Sequence, residues 1–404
     1  MSQVAIIGAG ASGLVCAIEA ARRGKSVFVF EKNAKIGRKI LATGNGKCNI
    51  SNERVTLERY HGESIFCIKE ILRVFTTSTC KDFFRSLGLE MREGEEGRLY
   101  PMSHQASSVV DLLIHEAKHL GVTFSLETEI KNITCKNGAF VLATQNVERV
   151  FEQCVIATGS SAMPSLGSSD SGHTFAKAFG HRIVPPFASL VQLVSSDASL
   201  KEASGVKIEA SIELYVDNQK RQSAKGDVLF TDYGLSGSAI LDISRKAGEA
   251  FMHQERAYVL IDMMPTFSRE ALHNVLQKHL TFARGKALSL WLEGLIPKKL
   301  ALLLIHREKL THVKEASSLT PKELKRLVFS LKALRVDVQG TKGVQSAEVC
   351  AGGVDLSEID PKTLMSKKVK KLYFCGEVLD VDGDCGGFNL HFAWASGYCV
   401  AHAL

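Results

Sequence analysis

The sequence predicts an α/β protein in which a parallel sheet is interrupted by an inserted β-rich and helical segment. Three features point there. A strand, a glycine turn, a helix and a second strand follow one another near the N-terminus; two later apolar runs end in glycine; and the chain changes character between residues 190 and 334.

Residues 3–8, QVAIIG, are a short β-branched run ending at glycine. A helical pattern runs from Ser12 to Arg23, and Gly24 and the apolar run SVFVFE follow. Two parallel strands need such a crossover, so this is a βαβ unit. Past residue 50 come amphipathic helical stretches (SIFCIKEILRVF, DFFRSLG, SSVVDLLIHEAKHLG), then TFSLETEIKNITCKNGAFVLAT, which reads as a β-meander with Ile130 on one strand. FEQCVIATG (151–159) is a buried strand ending in glycine. Residues 190–265 alternate strands with polar turns (SIELYVDNQKRQ, GDVLFTD, RAYVLIDMMP), and 266–334 are mostly helical. KLYFCGEVLD and a final helix from about Asn389 close the chain. The expected organisation is a discontinuous nucleotide domain, 1–189 and 335–404, around a β-rich subdomain, 190–265, and a helical one, 266–334.

Bulk composition narrows the function classes. A chain of 404 residues exceeds one ordinary core, and 45% hydrophobic with 23% charged residues is the balance of a globular protein. The apolar run VAIIGAGASGLVCAIEA is broken by glycines and lacks a basic leader, so a cytoplasmic protein without a membrane span is expected. The +7 formal charge reads as dispersed, with modest local density in SKKVKK (366–371), which argues against a nucleic-acid partner. Ten cysteines without a C-x-x-C pair fit neither a metal site nor a disulfide framework, so no metal is expected.

The chemistry-bearing motif is G-A-G-A-S-G: Gly8, Gly10 and Gly13, with Ala11 and Ser12 between the last two. The first glycine permits the tight turn, the second lets a pyrophosphate approach the backbone, and the third lets helix and strand pack. The helix N-terminus then faces the anion. Glu31 stands 18 positions after Gly13 at the end of the next strand, where a carboxylate accepts ribose hydroxyls. VIATG, with Thr158 and Gly159, and LYFCGE, with Gly376 and Glu377, bring two further strand ends to the ligand edge. The second leads through DVDGDCGGFN into a helix whose start, with Gly386 and Gly387, suits the O2 and N1 edge of a reduced flavin. A flavin needs that second contact region and a nicotinamide does not, which favours FAD over NAD as the resident cofactor.

GRKILATGNGKCNIS, residues 37–51, gathers three glycines, three cations and a thiol, a composition suited to a phosphate-bearing ligand. A nucleotide-hydrolysing P-loop would need Gly where Leu41 stands and Ser or Thr where Cys48 stands, so that reading fails.

GRKILATGNGKCN, FTDYGLSGSAIL and AEVCAGGVDL…SKKVKKLYFCGEVLDVDGDCGGFNLHFAWASG together resemble the BaiN/YhiN-like flavoproteins, the aminoacetone oxidase family of FAD-binding enzymes, across almost the whole chain. The resemblance implies an FAD/NAD(P)-binding Rossmann-like domain of the two-dinucleotide-binding-domain flavoprotein type, with an inserted β-barrel-like plus helical domain. It places Glu31 at the adenosine ribose, with Lys32 next to it among the cofactor-binding residues, and Arg38 and Lys39 near the pyrophosphate. Thr43, Gly44, Asn45, Gly46, Cys48 and Asn49 then lie near the flavin, and Ile130 offers backbone to adenine. Thr158 and Gly159 form the central crossing; Gly376, Glu377, Asp380, Gly386, Gly387, Phe388 and Asn389 form the C-terminal contact. Three positions depart from the family pattern: Asp232 for His, Cys350 for Thr and His391 for Gln, all expected toward the substrate side.

The function expected is an FAD-dependent oxidoreductase exchanging a hydride between flavin N5 and a small-molecule substrate, with NAD(P)H as a transient donor. No catalytic acid or base is assigned. Cys48 and Cys385 read as packing thiols, and His391 as a helical histidine satisfying a local hydrogen bond. The rivals are a flavin-dependent tRNA-modifying protein and a non-catalytic flavin-bound sensor.

Overall fold

The computed structural model describes residues 3–404, which divide into two units: one up to Phe187 and again from Glu348 to Leu404, the other Ala188–Ala347. In the first, QVAII forms the strand Gln3–Ile7 at the centre of a five-stranded sheet. The order is Leu372–Phe374, Gln153–Ile156, Gln3–Ile7, Ser26–Phe30, Thr123–Ser125, and every pairing is parallel. Val4 through Ile7 are buried, as expected for a parallel strand covered on both faces. The helices Ala11–Arg22 and Phe388–Ala403 pack on each other beside it. A three-stranded antiparallel meander, Asn132–Lys136, Ala139–Ala143 and Glu148–Phe151, supplies Phe151, whose ring lies 5.4 Å from Phe28 and 5.7 Å from Phe30. The last helix is apolar nearly all round, which is why it is buried along its length.

Two details differ from the sequence reading. TFS, expected to open the meander, instead joins the edge of the parallel sheet, with Phe124 opposite Val29. Ile130 lies in the link before the strand Asn132–Lys136 rather than on a strand.

The second unit is built on a seven-stranded sheet. Lys207–Val216 and Gln219–Phe230 form its long hairpin, turned by Asp217 and Asn218 at φ 45° and 63°, the left-handed pair that a two-residue hairpin requires. The two ends of the sheet order, Leu334–Val338 and Gly340–Thr341, are separated in the chain by Gln339 alone. The sheet therefore curls until its edges meet; Gln339 N–H donates to the Val194 carbonyl (2.9 Å) and Ser195 Oγ to that of Asp337 (2.6 Å). The helix Ser238–Met252 packs against it, and Arg269–Leu280, Leu288–Glu293, Lys298–Arg307 and Pro321–Lys332 follow. Leu214, Val259 and Val336 from strands share one core with Leu300, Leu304 and Leu327 from helices, so the β-rich and helical segments form a single body. Val336 pairs with Val259, which places residues 335–347 with this unit; the returning segment of the first begins at Glu348, not 335.

The crossing of the first and last helices gives a stability test. A Cβ on Gly397 would stand 2.3 Å from the Ser12 carbonyl oxygen, inside any permissible contact. Gly397→Ala should cost about 1–3 kcal/mol, read as a lower midpoint of thermal unfolding. An unchanged midpoint would show that the helices are not held this close.

Candidate functional site

Three neighbouring strands of the first unit end in Ile7, Ile156 and Phe374, and the chain leaves them through Gly8, Thr158 and Gly376. These are carboxyl ends of parallel strands, where open α/β sheets present ligands. Gly8 carries φ +107°, and a Cβ on Gly13 would lie 2.0 Å from the Gly8 carbonyl oxygen, so the strand and helix touch through their backbones. Gly10 differs: nothing lies within 4 Å of the Cβ it lacks. It is the N-cap of the helix that begins Ala11, Ser12, Gly13, and no side chain caps that helix. Its free N–H groups and the open side of Gly10 make a cradle for an anion.

Glu31 is buried at the end of the adjoining strand. Its carboxylate accepts the Ala9 and Asn33 N–H groups, both at 2.9 Å, and so is fixed beside the turn. Asn33 accepts from Arg38 Nη1 at 3.1 Å, while Arg38 Nη2 reaches the Ser165 carbonyl at 2.9 Å. Lys32 is exposed and lines a pocket of ≈ 750 Å³ with Asn33, Ser125, Thr128, Lys131 and Arg149. Thr128 N–H donates to the Glu31 carbonyl at 2.9 Å, which ties the segment carrying Ile130 to the acid, although the Ile130 side chain itself is buried.

Lys39 does not stand as a free cation. Its ammonium meets Glu377 at 2.7 Å, and the same carboxylate accepts from Ser160 Oγ at 2.7 Å and from the Cys350 N–H at 2.9 Å. Three separate segments converge on one carboxylate. Ser160 and Asn33 were not singled out in the sequence; each lies within two residues of a named one, Thr158 and Glu31, and that adjacency was the only signal.

The loop Thr43–Gly46 is a left-handed run, with φ 57°, 54° and 82° at Gly44, Asn45 and Gly46, and Cys48 at 57°. Thr43 Oγ1 closes it on the Ile40 carbonyl at 2.7 Å. Cys48 is buried, and burial pushes its thiol up to about 12, so it is an inert packing group. Asn49 Oδ1 is buried without a partner, an acceptor waiting for a donor. Beside it the turn into the last helix is tight: a Cβ on Gly387 would lie 2.4 Å from the Ser51 carbonyl, so this glycine is required by the protein's own packing rather than by a ligand. At Gly386 the space is less restricted, a Cβ there standing 3.3 Å from the Phe388 ring, and it is the φ of +129° that favours glycine. Asn389 holds the preceding loop through paired 2.8 Å bonds to Gly383 N–H and C=O, and Asp380, buried, accepts the Glu63 N–H at 2.8 Å.

His391, expected toward the substrate side, is instead fully buried in this unit. Its Nε2 donates to the Phe75 carbonyl at 3.0 Å and its Nδ1 accepts from Ser51 Oγ at 2.8 Å. With no room for a charged ring, burial depresses it to about 4. Asp232 lies in the second unit, on the turn before Gly234.

The unfolded chain takes up a proton at His391 near pH 6.5 and the folded chain only near 4, so stability is lost as pH falls through that window. The contribution is up to about 3 kcal/mol. His391→Gln, which keeps a donor and an acceptor, should flatten the fall in unfolding midpoint between pH 7 and 4.5. An equally steep fall in the variant would place the sensitivity elsewhere.

The open Gly10 cradle, the fixed carboxylate of Glu31 and the unpaired Asn49 acceptor are features that a dinucleotide would satisfy. Comparison with known proteins agrees. The model of the HI0933-like protein Rossmann domain matches residues 2–403. The chain is 35% identical to the 3-dehydro-bile acid Δ(4,6)-reductase of Clostridium scindens, covering 100% of this chain and 99% of that one. It is 34% identical to the ribosomal RNA dihydrouridine synthase of Haemophilus influenzae, covering 100% and 98%. Among solved structures, 3-ketosteroid Δ1-dehydrogenase from Sterolibacterium denitrificans shares the fold, with TM-score 0.51 at 11% identity, covering 100% of this chain and 99% of that one. The chain belongs to the HI0933-like, BaiN/YhiN-type family of FAD-binding Rossmann proteins.

Proposed function

We propose that the protein is an FAD-dependent reductase that saturates a ring carbon–carbon double bond conjugated to a carbonyl, with NADH or NADPH as electron source. The observation that carries the cofactor is the glycine turn, where the second position alone opens to empty space above uncapped helix N–H groups. The reaction class is supported by the relatives. Read chemically, a Δ(4,6)-reductase acting on a 3-dehydro compound and a dihydrouridine synthase both add two hydrogens across such a bond. Reduced nicotinamide, a proton and the unsaturated ring are consumed; oxidised nicotinamide and the saturated ring are formed.

In this reading the first helix and Gly10 receive the pyrophosphate, with Arg38 alongside. Glu31 accepts the adenosine ribose hydroxyls, and Lys32 and the backbone near Ile130 border the adenine. Thr158, Gly159, Gly376 and the Glu377 network border the middle of the molecule. Thr43–Gly46, Asn49 and the turn Gly386–Asn389 border the ring end, where the Asn49 oxygen takes a ring N–H. When bound, FAD supplies a two-electron carrier between nicotinamide and substrate. Lys39 is neutralised by Glu377, so its part is to hold the loop rather than to add charge. No second G-x-G-x-x-G is present in the sequence, so a nicotinamide donor would use the substrate's place in turn.

Gly10→Val should purify without flavin and unfold at the midpoint of the flavin-free parent protein, whereas Gly13→Ala should fall below that midpoint. A fully flavin-loaded Gly10→Val protein would displace the cofactor from this turn. The activity test is anaerobic: the two flavin absorption bands should bleach on adding NADH or NADPH and return on adding a 3-keto-Δ4 steroid or a uridine-containing RNA. Bleaching by neither nucleotide would exclude a nicotinamide-driven reductase.

A further inference from the structure

Two carboxyl groups share the field of Lys39, and their surroundings differ. Glu377 takes the ammonium at 2.7 Å, with the Ser160 hydroxyl and the Cys350 N–H as further donors. Glu348, at the start of the returning segment, feels the same ammonium from beyond ion-pair contact, and among the described residues no hydrogen-bond donor reaches it. Asp355, Glu358 and Asp360 follow on that segment. Burial acts to raise all three, but donors from Ser357 and Arg182, from Lys368, and from Thr363 bring each below its ordinary range. Glu348 lacks such donors: desolvation by the protein around it raises its carboxyl, and Lys39 offsets that only in part. Solvent still reaches the side chain, so the group is crowded by protein yet open to water.

Its place matters as much as its environment. Lys39 stands one helical turn before Thr43, where the left-handed loop assigned to the ring end begins. Cys350, two residues after Glu348, is tied to Glu377 through its N–H and to Ser161 Oγ through its thiol at 3.6 Å. Because Glu377 already neutralises Lys39, the three groups carry no net charge when Glu348 holds its proton. Neither His391, sealed between Ser51 and Phe75, nor the buried thiol of Cys48 can serve as an acid to a bound substrate.

We infer that Glu348 is the proton donor of the reduction, with Lys39 and Glu377 as the pair that positions it. The inference rests on the reductase reading and adds to it the acid that it lacked. The β-carbon of the conjugated double bond accepts a hydride supplied through the flavin, the π pair moves toward the carbonyl, and the α-carbon takes the proton of the Glu348 carboxyl. A C–H bond forms at each carbon, the carbon–carbon double bond becomes single and the Glu348 O–H bond breaks. The carboxylate left behind takes a new proton from the solvent that reaches it, and NADH or NADPH replaces the two electrons. A carboxyl that holds its proton to a higher pH than a free glutamate, and can be recharged from water, suits this role.

The first test needs no turnover. In flavin-loaded protein labelled with ¹³C at its glutamate carboxyls, the signal absent from Glu348→Gln should titrate above the ordinary glutamate value of about 4.3. Titration at or below that value would overturn the assignment. The second test follows the return of the flavin bands after anaerobic bleaching, using whichever of a 3-keto-Δ4 steroid and a uridine-containing RNA reoxidises the parent protein. The rate of return should fall as pH rises through the titration seen by NMR, because the acid must be protonated to donate. Glu348→Gln should slow the return by about 100- to 10,000-fold and abolish that pH dependence, while nicotinamide still bleaches its flavin. A variant that reduces the ring as fast as the parent, or one that keeps the parent's pH profile, would overturn Glu348 as the donor and leave the reductase reading intact. A parent protein whose reduced flavin returns with neither substrate would remove that reading, and the inference with it.

Discussion

The first unit depends on how closely the start of its first helix is wedged into its surroundings. Ser12 donates to the Cys375 carbonyl at 3.2 Å, and its own carbonyl lies where a Cβ on Gly397 would have to go. Gly376 N–H is held in turn by Ser396 Oγ at 2.9 Å. The N-terminal turn, the last strand of the sheet and the last helix, nearly 400 residues apart at the extreme, are fixed to one another within a few atoms. Glycine at positions 13 and 397 is what lets backbone meet backbone there, since any side chain would separate the layers.

That wedge also aims the site. By closing the helix against the strands on one side, it leaves the other side of the same turn, at Gly10, as the open one, with helix N–H groups directed outward. The Glu377 carboxylate then knits together the segments that border the turn, taking donors from Lys39, Ser160 and Cys350. A partly buried carboxylate with three donors has its acceptor capacity met and an opposite charge beside it, the condition under which such a group fixes geometry at little cost. The segments carrying Lys39, Ser160 and Cys350 are therefore held to one another through a single group.

The second unit obeys a different constraint. Its sheet begins and ends in strands separated by one residue, which forces closure and leaves the helices to cover the remaining apolar surface. Helices that bury their apolar faces in that task can carry charge only outward. The 13 basic residues of the helical layer are consequently displayed rather than absorbed, apart from pairs such as Lys314 with Glu323 and Lys332 with Asp262.

Local pattern determined a good deal. The continuous apolar run VAII, the G-A-G-A-S-G turn and the acid at Glu31 state a βαβ unit and its ligand edge without help from the rest of the chain, because spacing and backbone permissiveness act over a few residues. Hairpin 207–230 and the helix with its Thr320/Glu323 capping box are local in the same sense. Only the tertiary structure decided which partner each group meets. It sent TFS to the parallel sheet, buried His391 between Ser51 and Phe75, assigned residues 335–347 to the inserted unit, and paired Lys39 with a glutamate 338 positions away. It also decided where the charge counts. A chain that looks evenly basic along its length becomes one neutral unit and one basic layer once the boundary at Ala347 is known, because net charge is a property of a folded surface and not of a run of letters.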